Sequence, residues 1–109
     1  MTVSRGEIYY AGMPNHPKQR PAVILTANWL SRHSLDVMVV PITSVERPPF
    51  PTRVELKAGE GGLKMRSWAK CDQVTTVPKA LFSERPIGRL GPERIRRIEE
   101  AVRLALDFA

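Results

Sequence analysis

Arg20 and Thr43 are the side chains of this 109-residue chain whose types and positions best suit chemistry. Arg20 stands just before the apolar run 21–25. Thr43, followed by Ser44, stands just after the apolar run 37–42. Polar groups at strand ends are ordinarily caps or turn formers. An arginine and a hydroxyl held at the ends of two rigid strands can also grip a phosphodiester, because a guanidinium fork matches two phosphate oxygens. Other groups offer less. His16 and His33 lie in polar stretches and read as solvated, and Cys71 lies in a strand-like stretch and reads as core. Two histidines and one cysteine are too few for an ordinary zinc site, so no metal is expected. Gly59-Glu60-Gly61-Gly62 lacks the lysine and the helix of a phosphate loop and reads as a turn. Neither paired glycosidase carboxylates nor a serine nucleophile elbow stands out.

The charge favours an anionic partner. Seventeen basic against eleven acidic residues leave a net charge of +6. Residues 92–109 hold four arginines and four acids and are neutral, so the whole excess lies in residues 1–91. Charge of this kind suits a polyanion, most often nucleic acid, although solubility alone also accounts for it. No five basic residues are adjacent, so any basic surface must be assembled by folding. The longest apolar run, 37–42, is far short of the roughly 20 residues that span a bilayer. The polar start leads to no secretory-type apolar segment, and the lone cysteine suits a reducing compartment, so a cytoplasmic location is expected.

The elements that must carry these groups are short. The length fits one domain, 1–109. Nine prolines and seven glycines cut the first 91 residues into pieces. Strands are expected at 8–11, 22–26, 36–43 and 52–56, with one or two more within 67–77 and Trp68, Ala69, Cys71 and Val74 as core. Pro41 cannot donate to a ladder and suggests an edge or a bulge in the strongest strand. Residues 12–18 and 45–51 read as exposed loops, and 28–35 as a connection with a helical turn. After Gly91, Pro92 opens an amphipathic helix of about four turns. It would bury Ile95, Ile98, Val102, Ala105 and Leu106, with Glu93–Arg97 and Glu99–Arg103 as favourable surface pairs. Several short strands closed by one helix fit a mainly β fold, a small, strongly bent SH3-like barrel with function in its loops.

At these residues the sequence resembles the MazF/PemK family of toxin endoribonucleases. Arg5-Gly6-Glu7-Ile8-Tyr9-Tyr10 resembles the family's opening. Arg20-Pro21-Ala22-Val23-Ile24-Leu25 resembles its second strand. Val39-Val40-Pro41-Ile42-Thr43-Ser44 with Phe50-Pro51-Thr52-Arg53-Val54 resembles its third and fourth. Gly61-Gly62-Leu63, Arg66-Ser67 and Cys71-Asp72-Gln73-Val74 follow in the family's order, and Gly88-Arg89-Leu90 precedes the helix. The likeness covers nearly the whole chain.

The resemblance implies a barrel of the CcdB/MazF/PemK type that forms a homodimer. It implies metal-independent, sequence-specific cleavage of single-stranded RNA, in which the 2′-hydroxyl attacks the adjacent phosphorus and leaves a 2′,3′-cyclic phosphate and a 5′-hydroxyl. The catalytic arginine and threonine of the family fall on Arg20 and Thr43, Ser44 is the neighbouring hydroxyl, and Gln73 matches a position near bound RNA. Lys18, Gln19, Arg47 and Arg53, in or beside the two loops, are expected to hold the RNA backbone. His16 is a candidate proton carrier, since imidazoles titrate nearest neutrality. Trp29, Tyr10 and Phe50 are candidates for base stacking, with burial as the alternative. The partners implied are RNA and a MazE-like antitoxin, acidic and partly disordered.

The chain departs from the family in its shorter first loop, in Thr75 where many relatives have arginine, and in Arg66 where an acid is usual. These changes bear on base contacts rather than on Arg20 and Thr43. Two other readings fit the same barrel: a CcdB-like toxin that poisons gyrase through protein contacts, and an RNA-binding barrel that cuts nothing. A gyrase binder has no need of the Arg20/Thr43 pair.

Overall fold

A computed structural model describes residues 2–108. The strands are β1 (Glu7–Ala11), β2 (Arg20–Ile24), β3 (Asp36–Thr43), β4 (Arg53–Leu56), β5 (Ser67–Lys70), β6 (Thr75–Pro78) and β7 (Gly88–Arg89). A single helical turn, α1 (Asn28–Ser31), joins β2 to β3, and α2 (Pro92–Leu106) closes the chain. All pairings are antiparallel, in the order β4-β5-β3-β2-β1-β7, with β6 also on β3. The fold is mainly β with a C-terminal helix, as expected, and the strongly bent barrel takes the form of a half-barrel.

The eight-residue β3 is the spine. Its first half pairs with β6, from Asp36↔Pro78 to Val39↔Thr75. Its end pairs with β5, at Ile42↔Ala69 and Thr43↔Trp68. The strand thus passes from one sheet into the other. Pro41 lies at this handover, where the β6 pairing has ended and the β5 pairing has not begun, so its missing N–H costs no ladder bond on that side. Pro41 is not at an edge, since it faces Ala22 on β2.

The central strands are apolar on both faces because both are covered. Ile8, Val23, Val40 and Ile42 point into one cluster with Val54, Leu56, Ala69, Cys71 and Leu90, which α2 roofs with Ile98 and Ala101. Tyr9, Ala22, Ile24, Val37 and Val39 point the other way, into a second cluster with Val3, Met13, Val77 and Phe82. Tyr9 and Phe82 stack there, with ring centroids 5.5 Å apart. Burying Ile98 alone contributes roughly 1.5–3 kcal/mol.

Several expectations need correction. Val74 is exposed rather than core, because it falls in the turn between β5 and β6. Ala105 and Leu106 are exposed, because the roof over the core ends near Ala101 and Val102. The expected intrahelical ion pairs give way to tertiary ones. Arg5 pairs with Glu99, and Arg94 binds Glu60 at 2.6 Å, tying α2 to the Gly59–Gly62 turn. That turn needs glycine at Gly62, whose φ is +81° and where a Cβ would stand 2.2 Å from the Ile87 carbonyl oxygen. Among the described residues no helix is long and apolar enough to cross a membrane.

Candidate nucleic-acid cleft

Arg20, at the start of β2, and Thr43, at the end of β3, line one cleft. β2 and β3 pair at Ala22↔Pro41, Val23↔Val40 and Ile24↔Val39. The pairing ends at Ala22↔Pro41, and its register carried two residues further would set Arg20 opposite Thr43. Directly opposed residues project to the same face of a sheet. That face is the one Ala22 and Val39 share, away from α2. Both residues therefore stand at the open end of the second cluster, on the wall of one cleft of about 270 Å³. Met13, Pro14 and His16 come from the first loop, Pro41–Val45 from the end of β3, and Lys70, Gln73 and Thr75 from β5, the following turn and β6.

The cleft gathers positive charge without opposing it. Its wall carries the cations Arg20 and Lys70, with the His16 ring beside them, and no carboxylate. Four ion pairs form among the described residues, Arg5–Glu99, Arg66–Glu46, Arg66–Glu55 and Arg94–Glu60, and none takes Arg20 or Lys70. Arg20 is exposed and Thr43 half-buried. The Thr43 hydroxyl accepts the N–H of Val45 at 3.1 Å, which fixes its oxygen and leaves its proton to donate into the cleft.

Of the residues singled out in the sequence, Arg20, Thr43, Ser44, Gln73 and His16 converge on this cleft. Lys18, Gln19 and Arg47 are exposed in the adjoining loops and do not line it. Gln19 reaches the Leu81 carbonyl at 3.5 Å. Arg53 is differently employed. It is half-buried, donates to the Val45 carbonyl at 2.8 Å and lies 5.9 Å from the ring centroid of Trp68. Arg66 stacks on Trp68 at 4.9 Å and binds Glu55 at 2.8 Å, so the unusual residue before Ser67 brings its own partners. Trp29, Phe50 and Tyr10 are exposed but stand outside the cleft wall. Cys71 is fully buried, and burial, aided by the charge of Asp72, pushes its thiol up to about 12. Sequence reasoning missed Lys70. Its only signal was a basic residue two places after Trp68, on the same face of a strand whose end was not evident.

The cleft thus opens on the face of a bent antiparallel half-barrel that lies away from α2, and the whole domain matches a family of toxins. Residues 4–106 match the family described as PemK-like, MazF-like toxin of type II toxin-antitoxin system. The chain belongs to that family. It is 31% identical to the endoribonuclease MazF9 of Mycobacterium tuberculosis, over 95% of this chain and 96% of that protein. It is similar to the solved structure of the Mycobacterium tuberculosis toxin MazF-mt6, with 32% identity, a TM-score of 0.82, and coverage of 94% of this chain and 98% of that one. It shares its fold with a mycobacterial endoribonuclease solved with its cognate antitoxin, with 24% identity, a TM-score of 0.84, and coverage of 99% and 98%.

Proposed function

We propose that this chain is a toxin endoribonuclease that cuts single-stranded RNA at short sequences without a metal. The joint presence of Arg20 and Thr43 on the wall of a basic cleft free of carboxylates carries the reading. The 2′-oxygen forms a bond to the adjacent phosphorus while the bond from phosphorus to the 5′-oxygen breaks. Negative charge gathers on the two non-bridging oxygens. Arg20 holds both through its guanidinium fork, and removing such a donor ordinarily costs about 10²–10³ in rate. Thr43 donates its hydroxyl proton to the same phosphate and aligns the attacking group. The 2′-hydroxyl gives up a proton and the departing 5′-oxygen takes one on, and we assign one of these transfers to His16 on the cleft wall. Ser44 and Gln73 contact the RNA within the cleft, and Lys18, Gln19, Arg47 and Arg53 serve it from outside.

We further propose that the chain works as one domain, 1–109, in the cytoplasm, and as a homodimer. An acidic, partly disordered antitoxin suits the charge of this cleft, in line with the antitoxin complex of the mycobacterial relative.

The experiment is incubation of the purified protein with a long single-stranded RNA in EDTA, followed by mapping of product ends. Cleavage that leaves 5′-hydroxyl and 2′,3′-cyclic phosphate ends is the expected result. Products carrying 5′-phosphates, or no cleavage at all, overturn the mechanism. Binding without cleavage would make the chain an RNA-binding barrel.

A further inference from the structure

Lys70 ends β5 and is half-buried on the cleft wall. β3 and β5 pair at Ile42↔Ala69 and Thr43↔Trp68. Continued by one residue, this register sets Lys70 opposite Pro41, on the face that carries Thr43 and Arg20. Lys70 is thus the diagonal neighbour of Thr43, about 7–8 Å away along such a sheet, and its flexible stem reaches further. Its cross-strand neighbour on the other side, Arg53, is occupied with the Val45 carbonyl and Trp68. The acids near this region are also engaged. Glu46 and Glu55 pair with Arg66, and Asp72 accepts the Thr52 hydroxyl at 3.0 Å. Lys70 therefore faces the cleft as a cation with no ion-pair partner among the described residues.

Resting on the ribonuclease reading above, we infer that Lys70 is a second phosphate-binding group of the cleft and grips the RNA backbone at a phosphate beside the one that Arg20 holds. An ammonium is a compact point charge without the forked geometry that reads a base or clamps two oxygens of a transition state. Its contribution is to affinity, equal for all sequences and sensitive to salt. Lys18 and Arg47, also basic, stand outside the wall, so Lys70 is the lysine that meets the RNA inside it.

The test is single-turnover cleavage by wild type, Lys70→Met and Lys70→Arg across a range of salt. Thermal melts check that each is folded, and Lys70→Gln stands in if the methionine variant is not. Lys70→Met is expected to raise the half-saturating RNA concentration about three- to tenfold. The saturated rate should stay within about twofold and the cleavage sites should not change. The slope of log affinity against log salt should fall by about 0.7, the share of one phosphate on a single strand. Lys70→Arg should restore both slope and affinity. Unchanged affinity and slope in a folded variant overturn the inference while leaving the ribonuclease reading intact. A loss confined to the saturated rate, or an altered cleavage sequence, overturns it in favour of a catalytic or base-reading role. A wild-type protein that neither binds nor cuts RNA overturns both.

Discussion

Arg53 and Thr43 are joined through a single residue, Val45. The guanidinium of Arg53 donates to the Val45 carbonyl at 2.8 Å, and the N–H of Val45 donates to the Thr43 hydroxyl at 3.1 Å. The ring of Trp68, opposite Thr43 in the β3–β5 register, lies against the same guanidinium. The loop after β3 is thereby pinned at its first turn, and the orientation of a cleft hydroxyl depends on a side chain that does not line the cleft.

Removing that pin should loosen the site more than the fold. Arg53→Ala is expected to lower the saturated cleavage rate about tenfold, to cost about 1 kcal/mol of stability, and to shift the fluorescence of Trp68. Arg53→Lys keeps a donor but not the planar stack, and should recover only part of the rate. Stopped-flow cleavage with denaturant melts measures both. An unchanged rate would detach Arg53 from Thr43.

The cleft pair itself predicts a division between chemistry and folding. Arg20 is exposed and outside both core clusters. Arg20→Ala should therefore lose about 10²–10³ in rate with stability within about 0.5 kcal/mol of wild type. Thr43→Ser should keep most activity, because the hydroxyl and its bond from Val45 survive. Thr43→Val should lose about ten- to a hundredfold, the value of a hydrogen bond to a charged group. Full activity in Arg20→Ala would remove it from the mechanism.

Cys71 should be inert. Its thiol is fully buried and held far above the ordinary range, and only the thiolate reacts. Dithionitrobenzoate at pH 8 should leave the native protein untouched and label one thiol per chain in guanidinium. Rapid labelling of the native state would contradict the burial.

Acid should loosen the clasp between α2 and the Gly59–Gly62 turn. Partial burial by itself raises the pKa of Glu60. The bond from Arg94 and the N–H of Lys57 outweigh it and hold the carboxyl below its usual 4.5. The unfolded chain thus binds this proton more readily than the native one. The stabilisation is present above about pH 4.5 and is lost as the pH falls through the lower native value. The melting temperature should drop across that window, and Glu60→Gln should flatten the drop while costing about 1 kcal/mol at neutral pH. Equal acid sensitivity of wild type and variant would count against the clasp.

Much of this architecture was legible in the residues. The run 36–43, with Val at both parities, reads as a strand covered on two faces and folds as β3. Gly91-Pro92 announces α2 at the position where it begins. Ala105 and Leu106 misled because periodicity marks which side of a helix is apolar and says nothing of how far the surface beneath it extends. Arg53 reads as a free basic residue beside a loop, and its hold on the Val45 carbonyl and its place near Trp68 emerge only with its tertiary neighbours. Lys70 went unnoticed because the boundary between β5 and β6 is not written in their composition.

The order of residues by itself placed an arginine and a hydroxyl at the ends of two apolar runs, confined the positive excess to residues 1–91, and set the helix that roofs one face. Only the folded chain decided that Arg20, Thr43 and Lys70 line one cleft and that Arg53 lies outside its wall. Those facts depend on the register between strands distant in the chain, and a slip of one residue would turn every one of these side chains to the opposite face. Local propensity carries no information about that alignment; it is selected by the simultaneous burial of Ile8, Val23 and Val40 on one face and of Ala22, Ile24 and Val39 on the other.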